Sequence, residues 1–195
     1  MAAAVAIFLE AFHDSAAYIY GEPPRPDAMI DVWSFAREVE PGGFLAARDA
    51  AGTLLGYALI TSSVSALRRR AIVRLAPLRW AWRALCGRYG IVWAHAARLF
   101  ANKAAFARSS AEFRTSGDAQ LLNIATAVFA RGQGVAFALV SAGVAYLRGQ
   151  GIQELRLEVR PDNAPAHAVY TRAGFKEVGR TRDRGGEWIV MTVRP

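Results

Sequence analysis

Apolar residues recur along this chain in two periods, and the places where the period changes divide it into elements. Val5, Leu9, Phe12 and Ala16 fall three or four positions apart in an alanine-rich run, which predicts a helix over 2–19. Pro23-Pro24-Arg25-Pro26 breaks that pattern, and a second helix is expected from Asp27, as its cap, to about Glu38. Pro41-Gly42-Gly43 turns the chain into two strand-like runs, 44–48 and 54–62, joined at Asp49-Ala50-Ala51-Gly52. Over 64–110 the period returns to helical: Val64, Leu67, Ala71, Leu75, Leu78, Trp82 and Leu85 form an apolar stripe. Arg68, Arg69, Arg79 and Arg83 lie off it, and two or three helices are expected, divided near Pro77 and at 87–90. A strand is expected at 120–127, then a helix at 137–147 that ends at Gly149-Gln150-Gly151. At 152–159 Leu155, Leu157 and Val159 alternate with Arg156 and Glu158, the signature of a strand. A helix over 163–173 and a hairpin of 176–182 and 187–193, turning at Arg184-Gly185-Gly186, complete the chain.

A strand, a helix and a second strand in succession predict a right-handed parallel crossover, while the hairpins on either side supply antiparallel pairs. The expected fold is therefore α/β in the α+β sense: a central mixed sheet flanked by helices. The 195 residues, 53% of them hydrophobic, are enough for one domain with a core, 1–195, carrying a helical insertion at about 64–110. No internal repeat or low-complexity linker interrupts it.

Charge changes the picture in one place. The formal net charge is +8, yet 64–110 holds ten Arg or Lys and no Asp or Glu, leaving 14 basic against 16 acidic residues elsewhere. The basicity belongs to the insertion. Cysteine and histidine remove chemistry: Cys86 alone cannot form an internal disulfide, and His13, His95 and His167 lack metal-ligand spacing, so no metal site is expected. The N-terminal apolar run has no basic flank, and no apolar run reaches the length of a charge-free membrane span. A cytoplasmic protein is expected.

The candidate chemistry starts at Arg131-Gly132-Gln133-Gly134-Val135-Ala136, between a predicted strand and a predicted helix. The first-turn N–H groups of a helix point at an anion there, and the helix dipole adds favourable partial charge. Gly132 and Gly134 let a diphosphate approach the backbone, and Arg131 adds a permanent positive charge.

Together with the residues downstream of it, this loop resembles the GNAT acyltransferase superfamily, whose loop pattern is Arg/Gln-x-x-Gly-x-Gly/Ala. Arg131, Gly134 and Ala136 fit it, and Asn163, Tyr170 and Gly174-Phe175 come in the family's order. The resemblance is good over 118–193, extends to 1–63, and is absent between. It implies the GNAT fold, with the basic insertion between the family's third and fourth strands. It also implies acetyl-coenzyme A as acyl donor, its pyrophosphate on 131–136 and its pantetheine arm along Ile124-Ala125-Thr126. Asn163 then faces the coenzyme, besides serving as a helix N-cap, and Tyr170 protonates the leaving thiolate. The sequence departs from the pattern twice. The family's first strand precedes its first helix, whereas this chain starts inside that helix. Gln120 stands where many relatives carry a general-base Glu, leaving Glu112, Asp118 or a water chain as candidates.

The leading functional expectation is an N-acetyltransferase acting on a primary amine of a small, acidic or sugar-linked acceptor. A second is a membrane-surface acyltransferase whose insertion contacts anionic lipid to reach a lipid-linked acceptor. A non-enzymatic nucleic-acid-binding module is a third, disfavoured because the basic segment lacks a nucleic-acid motif. For the insertion, a homodimer interface burying Trp80, Trp82 and Trp93 is the structural alternative.

Overall fold

A computed structural model describes residues 1–13, 25–89, 117–183 and 185–195. Helix α1 (Ala2–Ala11) opens the chain, and the expected remainder of that helix, with the Pro23-Pro24 break, lies outside the described residues. Helix α2 (Asp27–Val39) begins one position after Pro26, so Asp27 is in its first turn, favourable to the helix dipole, and is not its cap. Strands β1 (Phe44–Arg48) and β2 (Leu54–Thr61) pair antiparallel around a turn in which Asp49 Oδ1 accepts from Thr53 N.

Helices α3 (Val64–Val73) and α4 (Ala76–Leu85) lie between β2 and β3 (Ala119–Thr126). The break between them falls at Arg74-Leu75, where Leu75 adopts φ 52°, and not at Pro77. Pro77 sits in the first turn of α4, where a missing N–H costs nothing and the ring presets φ. Helix α5 (Val135–Gly149) and strand β4 (Leu155–Val159) form the predicted crossover, though β4 starts three residues later than the alternation suggested. Helix α6 (Ala164–Arg172) and the hairpin β5 (Lys176–Asp183) and β6 (Gly186–Val193) complete the order. The six strands make one mixed sheet in the order β1-β2-β3-β4-β6-β5.

The two sheet faces are covered differently. On one, Tyr57 packs against Trp33 of α2 (ring centroids 5.1 Å apart), and Trp33 meets Phe8 of α1 edge-on at 5.4 Å. On the other, α5 lies so close to β2 that a Cβ at Gly143 would come within 2.0 Å of Ile60 Cδ1. The face α5 turns outward is lined by Ala138, Ala142 and Ala145, short enough to be left exposed. Residues buried from both sides fill β2, which explains its unbroken apolar run.

One carboxylate ties three elements together. Glu40, just past α2, accepts from the buried Thr61 hydroxyl at 2.7 Å, from Ser62 N at 2.9 Å and from the Tyr146 hydroxyl of α5 at 3.0 Å. Removing it strands three donors, so Glu40→Ala should lower unfolding free energy by about 2–4 kcal/mol. Urea denaturation checks this; a loss below about 0.5 kcal/mol would mean that water replaces the carboxylate without cost.

Candidate active site

The parallel pairing of β3 with β4 lasts for two positions, Ala119 with Leu155 and Gln120 with Arg156. Beyond them the strands diverge while β3 stays paired to β2 as far as Thr126. A bulge marks the parting: Leu59 pairs with Asn123 but Ile60 pairs with Leu121, so Leu122 is extra.

The direction of the backbone groups comes from one bond. Ala127 N donates to Leu55 O at 2.9 Å, so residue 127 faces β2. Backbone groups alternate along a strand, so those of Ala125 also face β2 and those of Ile124 and Thr126 face the diverging side. Of the predicted run Ile124-Ala125-Thr126, the two outer residues therefore present free edge groups and Ala125 does not.

The Gly-containing turn stands beyond the end of that edge. After a short 3-10 turn at Val128–Ala130, Arg131, Gly132, Gln133 and Gly134 are all exposed. Gly132 and Gly134 take φ 74° and 78°, where an L side chain is strained, and Gly134 is the N-cap of α5. A Cβ at either glycine would meet no atom within 4 Å. Gln133 Nε2 donates to Phe129 O at 2.8 Å and fixes the turn, while Val135 and Ala136 open the helix with their N–H groups unused by it. An anion could approach such a helix start without meeting a side chain of the turn's glycines.

Asn163 is the N-cap of α6, its Oδ1 accepting from Ala166 N at 3.2 Å. Its amide nitrogen remains a donor, so the cap does not exclude a second contact. Tyr170 lies seven positions on, two helical turns, and hence on the same side of α6. Arg172 stacks over Phe137 in the first turn of α5, 4.3 Å from guanidinium carbon to ring centroid, which holds the last turn of α6 beside the start of α5. Tyr170 is buried against Phe175, and burial pushes its phenol up to about 12.

The candidate bases separate. Burial raises the Asp118 carboxyl, but hydrogen bonds from the Ser65 side chain and amide and from Ser63, with the nearby Arg68 charge, outweigh this and hold it below its usual value. Asp118 thus anchors the start of α3 and is a poor proton acceptor. Glu112 lies outside the described residues. Gln120 leads to a carboxylate that the sequence pattern does not single out: its Nε2 donates to Glu158 Oε2 at 2.6 Å across to β4. Arg156 Nε holds the other oxygen at 2.7 Å. In the sequence Glu158 is visible only as a polar position in an alternating strand; its place at the parting of β3 and β4 needs the register.

The sequence model of the acetyltransferase (GNAT) family matches residues 6–175. The chain belongs to this family. Over 49 residues, 25% of this chain, it is 47% identical to the mycothiol acetyltransferase of Saccharomonospora viridis, of which the match covers 16%. An N-acetyltransferase from Staphylococcus aureus Mu50 superposes with a TM-score of 0.60 at 15% identity, over 99% of this chain and 91% of that one. A GNAT superfamily phosphinothricin acetyltransferase from Sinorhizobium meliloti, solved with AcCoA, gives 0.55 at 17% identity, over 100% of this chain and 84% of the other. At such identities the likeness is one of fold: these proteins share the GNAT sheet and its flanking helices.

Within this GNAT domain Tyr170 should not ionise where exposed tyrosines do. A phenol held near 12 contributes stability that is complete below the unfolded value of about 10 and lost as pH rises from there toward 12. In an absorbance titration, Tyr170→Phe should leave the tyrosinate signal gained between about pH 9 and 11 unchanged. A loss of one tyrosine's worth in that interval would place the phenol in water.

Proposed function

We propose that this GNAT protein transfers an acetyl group from acetyl-coenzyme A to a primary amine of a small acceptor. The observation that carries the reading is the parting of β3 from β4, which leads from the edge groups of Ile124 and Thr126 to the exposed helix start at Gly134. The residues fit the donor: the positive-φ glycines leave the space before α5 open to a diphosphate, and Arg131 adds charge beside it. Ile124 and Thr126 would hold the pantetheine amides as a further strand would, with Ala125 tying them to β2. Gln133, Val135 and Ala136 complete the phosphate-binding turn, and the Asn163 amide donates from α6.

The donor supplies an activated thioester; the chain supplies position and proton handling. The amine nitrogen bonds to the carbonyl carbon as the carbon–sulfur bond breaks. Glu158, at the parting of the strands, takes the amine proton, directly or through water. Tyr170 gives its proton to the departing sulfur; a phenol near 12 is fully protonated at neutral pH. Amino sugars, polyamines, amino acids and peptide N-termini form the acceptor panel. The mycothiol acetyltransferases that resemble a quarter of this chain support placing small sugar-linked metabolites first in it.

Calorimetry tests the donor site. Gly134→Glu places an anion at the helix start and should weaken coenzyme A binding about tenfold or more; equal affinity for parent and variant would remove the turn from the site. The proton-transfer pair is tested by turnover. Tyr170→Phe and Glu158→Gln should each lower kcat by about 10²- to 10⁴-fold with donor affinity kept. The Glu158→Gln deficit should narrow as pH rises and the amine loses its own proton, whereas the Tyr170→Phe deficit should not. Unchanged turnover, with chemistry shown to be rate-limiting, removes the residue concerned from the reaction.

A further inference from the structure

Helix α4 is amphipathic in the reverse of the usual sense. Its inward side carries Ala76, fully buried, and Trp80, edge-on to Phe35 of α2 at 5.6 Å. Arg83 also points inward, into an ion pair with Asp31 that Tyr89 joins through its hydroxyl. The apolar row of the sequence pattern faces out: Leu75, Leu78, Trp82 and Leu85 are 60–67% exposed. At 100° per residue this row is roughly opposite the inward one. Helix α3 also exposes Ile72 and Val73, 66% and 75%, just before Leu75, whereas its earlier stripe residues Val64, Leu67 and Ala71 are half-buried.

The charges around this patch have one sign. Arg68 and Arg69 are exposed and stand four and three positions before Ile72, on its side of α3; Arg79 is exposed beside the α4 row. Other arginines of these helices have partners within the chain at the surface: Arg74 pairs with Glu38, and Arg70 donates to Val39 O. Arg69 and Arg79 make no ion pair among the described residues, and no acidic residue occurs in either helix to neutralise them.

We propose that this face of α3 and α4 docks peripherally on an anionic lipid bilayer. A row of leucines with a tryptophan, rimmed by arginines, matches an interface where acyl chains meet negative headgroups: the apolar side chains enter the boundary and the guanidinium groups pair with phosphates. No helix among the described residues is long and apolar enough to cross a membrane. The inward anchors, Trp80 and Arg83, hold the face as a rigid platform. The proposal goes beyond acetyl transfer and is tested without it.

The full chain is floated with vesicles of phosphatidylcholine alone and of phosphatidylcholine with phosphatidylglycerol, at low and high salt. Binding is expected to the anionic vesicles only and to weaken about tenfold or more in high salt. Arg68→Gln/Arg69→Gln/Arg79→Gln should remove it, as should Leu78→Ser/Trp82→Ser, each with an unchanged melting temperature. A blue shift of tryptophan emission on binding, absent in Trp82→Phe, would place Trp82 in the lipid. Failure to bind either vesicle overturns the proposal. So does anionic binding that survives Leu78→Ser/Trp82→Ser, which would be charge attraction alone. Self-association that these serine changes abolish, without vesicle binding, would assign the face to a second copy of the chain and likewise overturn it.

Discussion

The candidate site depends on β3 and β4 pairing for two positions and then letting go. A parallel pair satisfied along its whole length would offer no edge groups; separate strands would not hold the turn at Gly134 in line with them. The compromise is kept from both sides. Strand β4 is paired to β6 over five positions, and β3 to β2 through Thr126 with one bulge, so each strand is held on its outer side. The opening is thus held between two strands that are each paired on the other side.

Much of this was legible in the sequence. The change of period at each Gly or Pro marked the order of elements, because glycines at positive φ and prolines at first turns are local constraints that tertiary packing seldom overrides. The turn at Arg131 to Ala136 was legible for the same reason. Pro77 shows the limit of the rule: a proline divides a helix when it falls inside one, but here it starts one, and the break belongs to Leu75. Ala125 shows another. A strand is visible in sequence, but which of its amides face the opening depends on a hydrogen bond from Ala127 to Leu55, seventy-two positions away.

Two further features needed three dimensions. Periodicity identifies an apolar face without saying what covers it, and on α4 that face is turned outward by Trp80 and Arg83, which fasten the other side to α2. Glu158 was hidden because spacing along one strand points to Gln120, and only the register sets a carboxylate beside it on the next. In the proposed reaction the base lies on the neighbouring strand, so an amide at position 120 does not by itself exclude a carboxylate at the site.

The extra residue at Leu122 gives β3 an arithmetic of its own. Before it, Gln120 shares the sheet face of Tyr57 and Thr61; after it, Asn123 and Ala125 do, and the Tyr57 hydroxyl donates to Asn123. An even position and an odd one have been brought to the same side. The strand is therefore sensitive to length as well as to composition. Changing a residue here alters one contact, whereas deleting one would exchange inside for outside along every position beyond it.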